Sequence, residues 1–225
     1  MYRYVKRFID LIIAFFALLI LSPLLIVVMV ILLFTGEHEV FYRQKRIGFK
    51  NQPFYIWKFA TMLKNSARIG TGEITVRNDP RVTKVGRILR ITKINELPQL
   101  INVFAGDMSI VGPRPLMEVS HKLYPEEVSK KIYSSKPGVT GIGSLIFRDE
   151  EMILSESKDH RTTYRNIYEY KMELELWYFR HISFSTDMII IFLTGWSILF
   201  PNNQLPNRIF TDLPQKNLSS LAAVR

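Results

Sequence analysis

The chain contains no cysteine. That excludes a disulfide framework, thiolate zinc ligation and a cysteine nucleophile. Histidine is scarce as well, and the four (His38, His121, His160, His181) match no metal-ligand spacing. There is no G-x-G-x-x-G or P-loop pattern. With 225 residues the chain is also too short to pair a membrane element with a doubly wound nucleotide-binding domain. Acidic residues are in deficit, giving a formal net charge of +10. A basic surface suits nucleic acid, anionic lipid or a phosphorylated substrate. No helix-turn-helix, zinc-finger or RNP pattern is present, so no nucleic-acid partner is expected.

What is present is apolar and N-terminal. Residues 11–34 carry no charge over 24 positions. That is long enough to cross a bilayer once, and too long for a cleaved leader. Ser22-Pro23 sits at the centre, where proline removes a helix hydrogen bond and kinks the chain. Arg3, Lys6 and Arg7 precede the run; Arg43, Lys45, Arg46 and Lys50 follow it. The preference of cations for the cytoplasmic face would hold both flanks on the same side. A helix broken at Ser22-Pro23 that enters and leaves through one face satisfies both facts; an ordinary kinked spanning helix is the alternative. A second apolar run, 188–200, has 13 residues and is too short to span. It follows Trp177 and Tyr178, which favour the headgroup level. Residues 183–200 therefore read as an interfacial helix packed on the membrane element, or as a core helix. Residues 201–225 are polar, proline-bearing and aperiodic, and read as a loose tail.

Between these elements the pattern is mixed. Residues 40–43 and 54–59 read as strands. Residues 126–134, opened by Pro125, and 160–180 read as helices. In 160–180 the expected buried face is Tyr164, Ile167, Tyr168 and Met172, with charges elsewhere. Within residues 92–115, TKINELPQLINVFAGDMSIVGPRP, Leu97, Leu100, Ile101 and Phe104 follow the spacing of one buried helix face. Gly106 stops that helix. Pro98 belongs in its first turn, which places Asn95 and Glu96 at the N-terminus. Such an end suits phosphate or phosphate-bound metal; the plainer reading is an N-cap and a first-turn acid. Arg114 follows Pro113 and precedes Pro115, so its backbone is pre-set for a bidentate phosphate contact.

These motifs occur in a definite order. Lys6-Arg7-Phe8-Ile9-Asp10, Ser22-Pro23, Gln44-Lys45-Arg46-Ile47-Gly48, Lys58-Phe59-Ala60-Thr61-Met62 and Asp79-Pro80-Arg81-Val82 come first. Glu96-Leu97-Pro98-Gln99-Leu100, residues 106–115 and Lys136-Pro137-Gly138-Val139-Thr140-Gly141 follow. Over residues 4–200 the chain resembles the bacterial sugar transferases, monotopic phosphoglycosyl transferases that move a sugar 1-phosphate from a nucleotide-sugar to a polyprenyl phosphate. The resemblance implies an α-rich α/β fold. It implies a re-entrant membrane helix hairpin over 1–36 with its break at Ser22 and Pro23. It also implies a small cytosolic catalytic domain with an interfacial C-terminal helix over 37–200, on the cytoplasmic face of a bacterial inner membrane. By the resemblance its partners would be a nucleotide-sugar, a UDP-sugar, with polyprenyl phosphate, membrane lipid and downstream glycosyltransferases, and its cofactor Mg²⁺.

The resemblance also assigns site residues. Glu96 would be catalytic and would bind the metal; Arg46, Lys58, Arg114 and Arg148 would bind phosphate. Glu175 would support the site from behind. The chain departs from the family at three places. The family pair at 95–96 is Asp-Glu, with the Asp as nucleophile, whereas here Asn95 stands first. Position 60, usually basic, is Ala60. After Gly141 the chain reads Ile142 to Arg148 and then Asp149-Glu150-Glu151, where the family has a different run ending in arginine. An amide is a poor oxygen nucleophile. Three explanations compete: another carboxylate acts, with Glu96 nearest; the acid comes from elsewhere, such as 149–151; or the chain is a non-catalytic relative that binds nucleotide-sugar or polyprenyl phosphate as a scaffold. The plainer reading of 149–151 is a helix N-terminus.

Overall fold

Helix α1 takes in the whole apolar run and its basic N-terminal flank, Tyr2–Leu33, in the computed structural model. The structure describes residues 2–66, 79–200 and 205–214. By length and composition α1 is sufficient to cross a membrane. The expected break at Ser22-Pro23 is not an interruption: the helix continues through Pro23. Proline cannot donate to the carbonyl four residues back, which is that of Leu19. Ser22 Oγ donates to that carbonyl instead, at 2.7 Å. A local hydroxyl thus satisfies the acceptor that proline leaves open, as an apolar setting requires.

Both ends of α1 pack on the globular part. Ala14 is fully buried in the main core. Val28 and Leu32 join a second cluster with Phe59 and Leu89. Between and around them Phe15, Phe16, Leu19 and Ile20 are exposed. Polar contacts fix the N-terminal arm. Arg7 donates to the carbonyls of Val103 and Phe104, at the C-terminal end of a helix, where a cation is favoured. Asp10 accepts from the Ile110 N–H at 2.9 Å, and Lys6 pairs with Asp187.

Strands β1 (Phe41–Ile47) and β2 (Pro53–Phe59) form an antiparallel hairpin, with Phe41 opposite Phe59 and Lys45 opposite Tyr55. Helix α2 (Lys84–Ile91) is capped by Thr83, whose Oγ1 accepts from Gly86 N–H at 3.0 Å. A 3₁₀ turn, Ile94–Glu96, leads into α3 (Gln99–Ala105), which ends at Gly106 in the left-handed conformation (φ 98°). Strand β3 (Ser109–Val111) pairs in parallel with β4 (Gly138–Thr140). The two chains touch at Gly112 and Gly138, where a Cβ on Gly138 would lie 2.1 Å from the Gly112 nitrogen. Glycine is therefore required for the turn that carries Arg114 to lie against β4.

Between β3 and β4 stand α4 (Glu118–His121) and α5 (Glu126–Ile132); after β4 come α6 (Ile142–Ile146) and α7 (Glu150–Glu156). Helix α8 (His160–Arg180) starts at Asp159, which accepts from the N–H groups of Arg161 and Thr162, and runs through the core. Helix α9 (Phe184–Leu199) buries Ile190 and Leu193 and exposes Phe192, Trp196 and Leu199. One side of α9 is core, as the second reading of residues 183–200 has it, and the other side exposes apolar side chains.

Three expectations need correction. Ile101 and Phe104 are exposed, and α3 buries Gln99, Leu100, Asn102 and Val103 instead. The reason is Asn102, whose amide clamps β2 by accepting from Trp57 N–H (2.9 Å) and donating to Tyr55 O (2.8 Å). On α8 the charged Lys171 and Glu175 are buried rather than outward. The segment beyond residue 200 is not wholly loose: α10 (Leu205–Ile209) and the following turn dock, with Phe210 and Leu213 buried. Trp177 packs edge-on to Phe210 and donates to Asp212 at 2.8 Å. The remaining positions, 201–204 and 215–225, lie outside the described residues. Phe210→Ala is expected to cost about 3 kcal/mol and to lower the thermal midpoint by several degrees in detergent. An unchanged midpoint would show that the docked segment adds nothing.

Candidate active site

Glu96 closes the 3₁₀ turn and projects between two cations. Lys58 Nζ, from β2, is 2.7 Å from Glu96 Oε1, and Arg114 Nη2 is 3.7 Å from the same oxygen. Burial by itself would raise the Glu96 pKa, but Lys58 and Arg114 together hold it well below the usual carboxylate range. Lys58 is pulled down to about 8 by burial, opposed by Glu96 and assisted by the nearby Arg46 and Arg114. Glu96 is thus fully ionised at neutral pH, with Oε1 committed to two cations.

Arg114 is fixed from several sides. Tyr133 donates from its hydroxyl to the Arg114 carbonyl at 2.8 Å. The Arg114 N–H donates to Glu175 Oε1 at 3.3 Å, and Nη1 donates to Ser144 Oγ at 3.4 Å. Arg46 is buried and spends its guanidinium on the Pro115 carbonyl (3.3 Å) and on Gln44 Oε1 (2.6 and 3.1 Å). It therefore holds the Pro-Arg-Pro turn from below rather than standing ready for phosphate. Arg148 is the converse case. Its Nε and Nη1 are buried without an acceptor among the described residues, and its carbonyl accepts from Lys93 Nζ at 3.1 Å, two residues before Asn95. Buried guanidinium donors left unpaired are costly, and an anion would satisfy them. Asn95 is itself buried, with Oδ1 unpartnered.

The acidic run 149–151 forms a helix N-terminus, with α7 beginning at Glu150. Two of its three carboxylates are engaged. Glu150 pairs with the buried Lys171, which also lies 4.7 Å from the Tyr168 ring, and Glu151 pairs with Arg90. Glu175, buried on α8, is raised to about 7 by burial, against the pull of the Arg114 N–H, and its Oε2 has no partner among the described residues. The structure brings together Glu96, Lys58 and Arg114 directly, with Arg46 behind the turn. It separates Ser22 and Pro23 from them on α1.

Residues 1–201 match the family model described as bacterial sugar transferase. The chain belongs to that family. It is 33% identical over 203 residues to the exopolysaccharide production protein ExoY of Sinorhizobium fredii, covering 84% of this chain and 83% of that protein. It is 35% identical over 196 residues to the UDP-glucose:undecaprenyl-phosphate glucose-1-phosphate transferase of Escherichia coli, covering 85% of this chain but 39% of that protein. It is 34% identical over 194 residues to the sugar transferase EpsL of Bacillus subtilis, covering 86% and 87%. The docked segment 205–214 lies beyond the family match.

Residue reasoning had no signal for the Glu150–Lys171 pair or for Asn102. Both depend on contacts between elements far apart in sequence, which periodicity does not report. For Mg²⁺, no cluster of three histidine or acidic residues exists among the described residues. Mg²⁺ needs only one or two carboxylates when substrate phosphates complete its shell. Glu96 fits that limited role, because both cations meet Oε1 and leave the second oxygen for a ligand.

Proposed function

We propose that this chain transfers a sugar 1-phosphate from a UDP-sugar to undecaprenyl phosphate, the step that begins assembly of a surface polysaccharide, and that Glu96 is its working carboxylate. One observation carries the residue assignment: Glu96 is an ionised carboxylate held between Lys58 and the pre-set Arg114, while Glu150 and Glu151 are tied up in ion pairs. The activities named for the relatives support the reaction. They offer no support for the scaffold alternative.

In this reading a Glu96 oxygen attacks the sugar-bearing phosphorus. The bridging P–O bond breaks, UMP leaves with the electron pair, and a phosphosugar remains on Glu96. The phosphate oxygen of undecaprenyl phosphate then attacks that phosphorus, forming the lipid diphosphate sugar and returning the carboxylate. Arg114 and Arg148 bind the donor's phosphates, and Lys58 moves from Glu96 to the charge that develops on phosphate oxygens. Bound through Glu96 and those phosphates, Mg²⁺ would supply further charge neutralisation. Asn95 contributes a neutral amide that keeps a second negative charge away from Glu96. Arg46 and Glu175 position the Arg114 turn.

The membrane part of the proposal is a re-entrant α1 with the catalytic part on the cytoplasmic face of the bacterial inner membrane, next to the glycosyltransferases that extend the product. It is supported by cations on both flanks and by the packing of both arms of α1 on one globular body. The absence of native cysteine makes labelling clean. Cysteines placed at Tyr2 and Asn51 should react only from the cytoplasmic side. Labelling at position 2 from outside would mean a spanning helix.

Purified chain, UDP-sugars and undecaprenyl phosphate, with UMP release as readout, test the reaction. In the same assay Asn95→Asp separates a rebuilt site from an inactivated one. A second carboxylate beside Glu96 raises the neighbouring pKa by like-charge repulsion. The expected result is a rate within a few-fold of wild type or lower. An inert wild type with an active Asn95→Asp variant would overturn the proposal.

A further inference from the structure

A second basic cavity lies away from Glu96. It is a cleft of about 720 Å³ between the turn that follows β1, α4, α5 and the first turn of α1. Arg3, Lys50, Lys122 and Lys130 line it against a single acid, Glu126, and none of Lys58, Glu96, Arg114 or Arg148 reaches it. Its walls are built rather than loose. Lys50 is anchored through its N–H to the Tyr133 carbonyl at 2.7 Å. Asn51 is held by His121 at 3.2 Å and by Ser129 at 3.5 Å. Burial lowers the His121 pKa, so its ring serves the wall as a neutral hydrogen-bonding group. Two of the cations have nearby acids, Lys122 with Glu118 and Lys130 with Glu126, but these are exposed pairs within one helix and hold the ammonium groups weakly. Among the described residues no carboxylate pairs with Arg3 or Lys50, which line the cleft: Arg3 donates to the Ser134 carbonyl, and the Lys50 ammonium lies over the Phe49 ring.

We infer that this cleft is a second phosphate-binding site, distinct from the catalytic one, for the head of a phosphate-bearing molecule. Four cations lining a volume larger than a single phosphate suit a phosphodiester with a polar head or a diphosphate. Position narrows the sources to two. Arg3 stands eight residues before the apolar run, about 12 Å along the helix axis, so the cleft opens close to the level of lipid headgroups. It is equally open to soluble phosphorylated ligands. Tyr133 joins the cleft to the catalytic turn, since its carbonyl holds Lys50 and its hydroxyl holds the Arg114 carbonyl. The inference rests on the cleft's own residues, and only the UDP control of its test rests on the reading of the Glu96 site.

The test is calorimetric titration of the full chain in neutral detergent, with UDP present to fill the catalytic site. Two probes are used: inorganic pyrophosphate and the short-chain lipid dihexanoyl phosphatidylglycerol. The variant is the exposed double charge reversal Lys122→Glu with Lys130→Glu, and its fold is checked by its UDP affinity. Saturable binding of at least one probe should weaken by at least about tenfold in the variant, while UDP affinity holds. Tighter binding of the lipid assigns the cleft to headgroups; tighter binding of pyrophosphate assigns it to a soluble phosphorylated ligand. Absence of saturable binding for both probes, or unchanged binding of both in the double variant, overturns the site.

Discussion

Glu96→Gln should reduce UMP release by about a thousand-fold or more, the scale expected when a group that forms the covalent bond is removed. Glutamine keeps the size of the side chain and loses the charge. It leaves Lys58 and Arg114 without the shared counter-ion that they meet at 2.7 and 3.7 Å. Those cations then meet the donor's diphosphate undivided, so the affinity for UDP-sugar should hold or tighten while kcat collapses. This split separates a chemical role from a structural one. A merely structural Glu96 would lose binding and thermal stability together. Turnover within tenfold of wild type would remove Glu96 from the chemistry.

Arg114→Lys should lose ten- to a hundred-fold in turnover with the fold intact. One charge-assisted hydrogen bond is worth about 1.5–3 kcal/mol, which converts to about that range in rate. The guanidinium spans Glu96 Oε1 on one nitrogen and Ser144 Oγ on another. An ammonium is a point donor and cannot hold both. The backbone contacts to Glu175 and Tyr133 are made by the Arg114 N–H and carbonyl, so they survive the change. Full activity would make Arg114 a structural cation only.

The sequence was legible where local chemistry dominates. Helix 160–180 begins at an Asp159 cap, α3 stops at Gly106, and Pro125 opens α5. Motifs singled out Lys58 and Arg114 as phosphate candidates, and the structure places both against the Glu96 carboxylate. Tertiary contacts decided the rest. Strand β1 runs on through Gln44, Lys45 and Arg46 because β2 pairs with them in register, although their polar side chains interrupt any apolar alternation. Ile101 and Phe104 face outward because Asn102 must face β2. Phe210 was unreadable as a core residue, since its partner Trp177 lies in a different helix. Proline at 23 predicted a break; the hydroxyl of Ser22 lets the helix continue. Arg46 matched a motif with phosphate in mind, yet its partners are Gln44 and the Pro115 carbonyl.

The most direct test of the central claim, that Glu96 does the work given by the family to an aspartate at position 95, is peptide mass spectrometry after incubation with the UDP-sugar alone. The account predicts a sugar-phosphate adduct on Glu96, discharged when undecaprenyl phosphate is added. An adduct on Asp149 or Glu150, or confirmed wild-type turnover with no adduct on any residue, would contradict it.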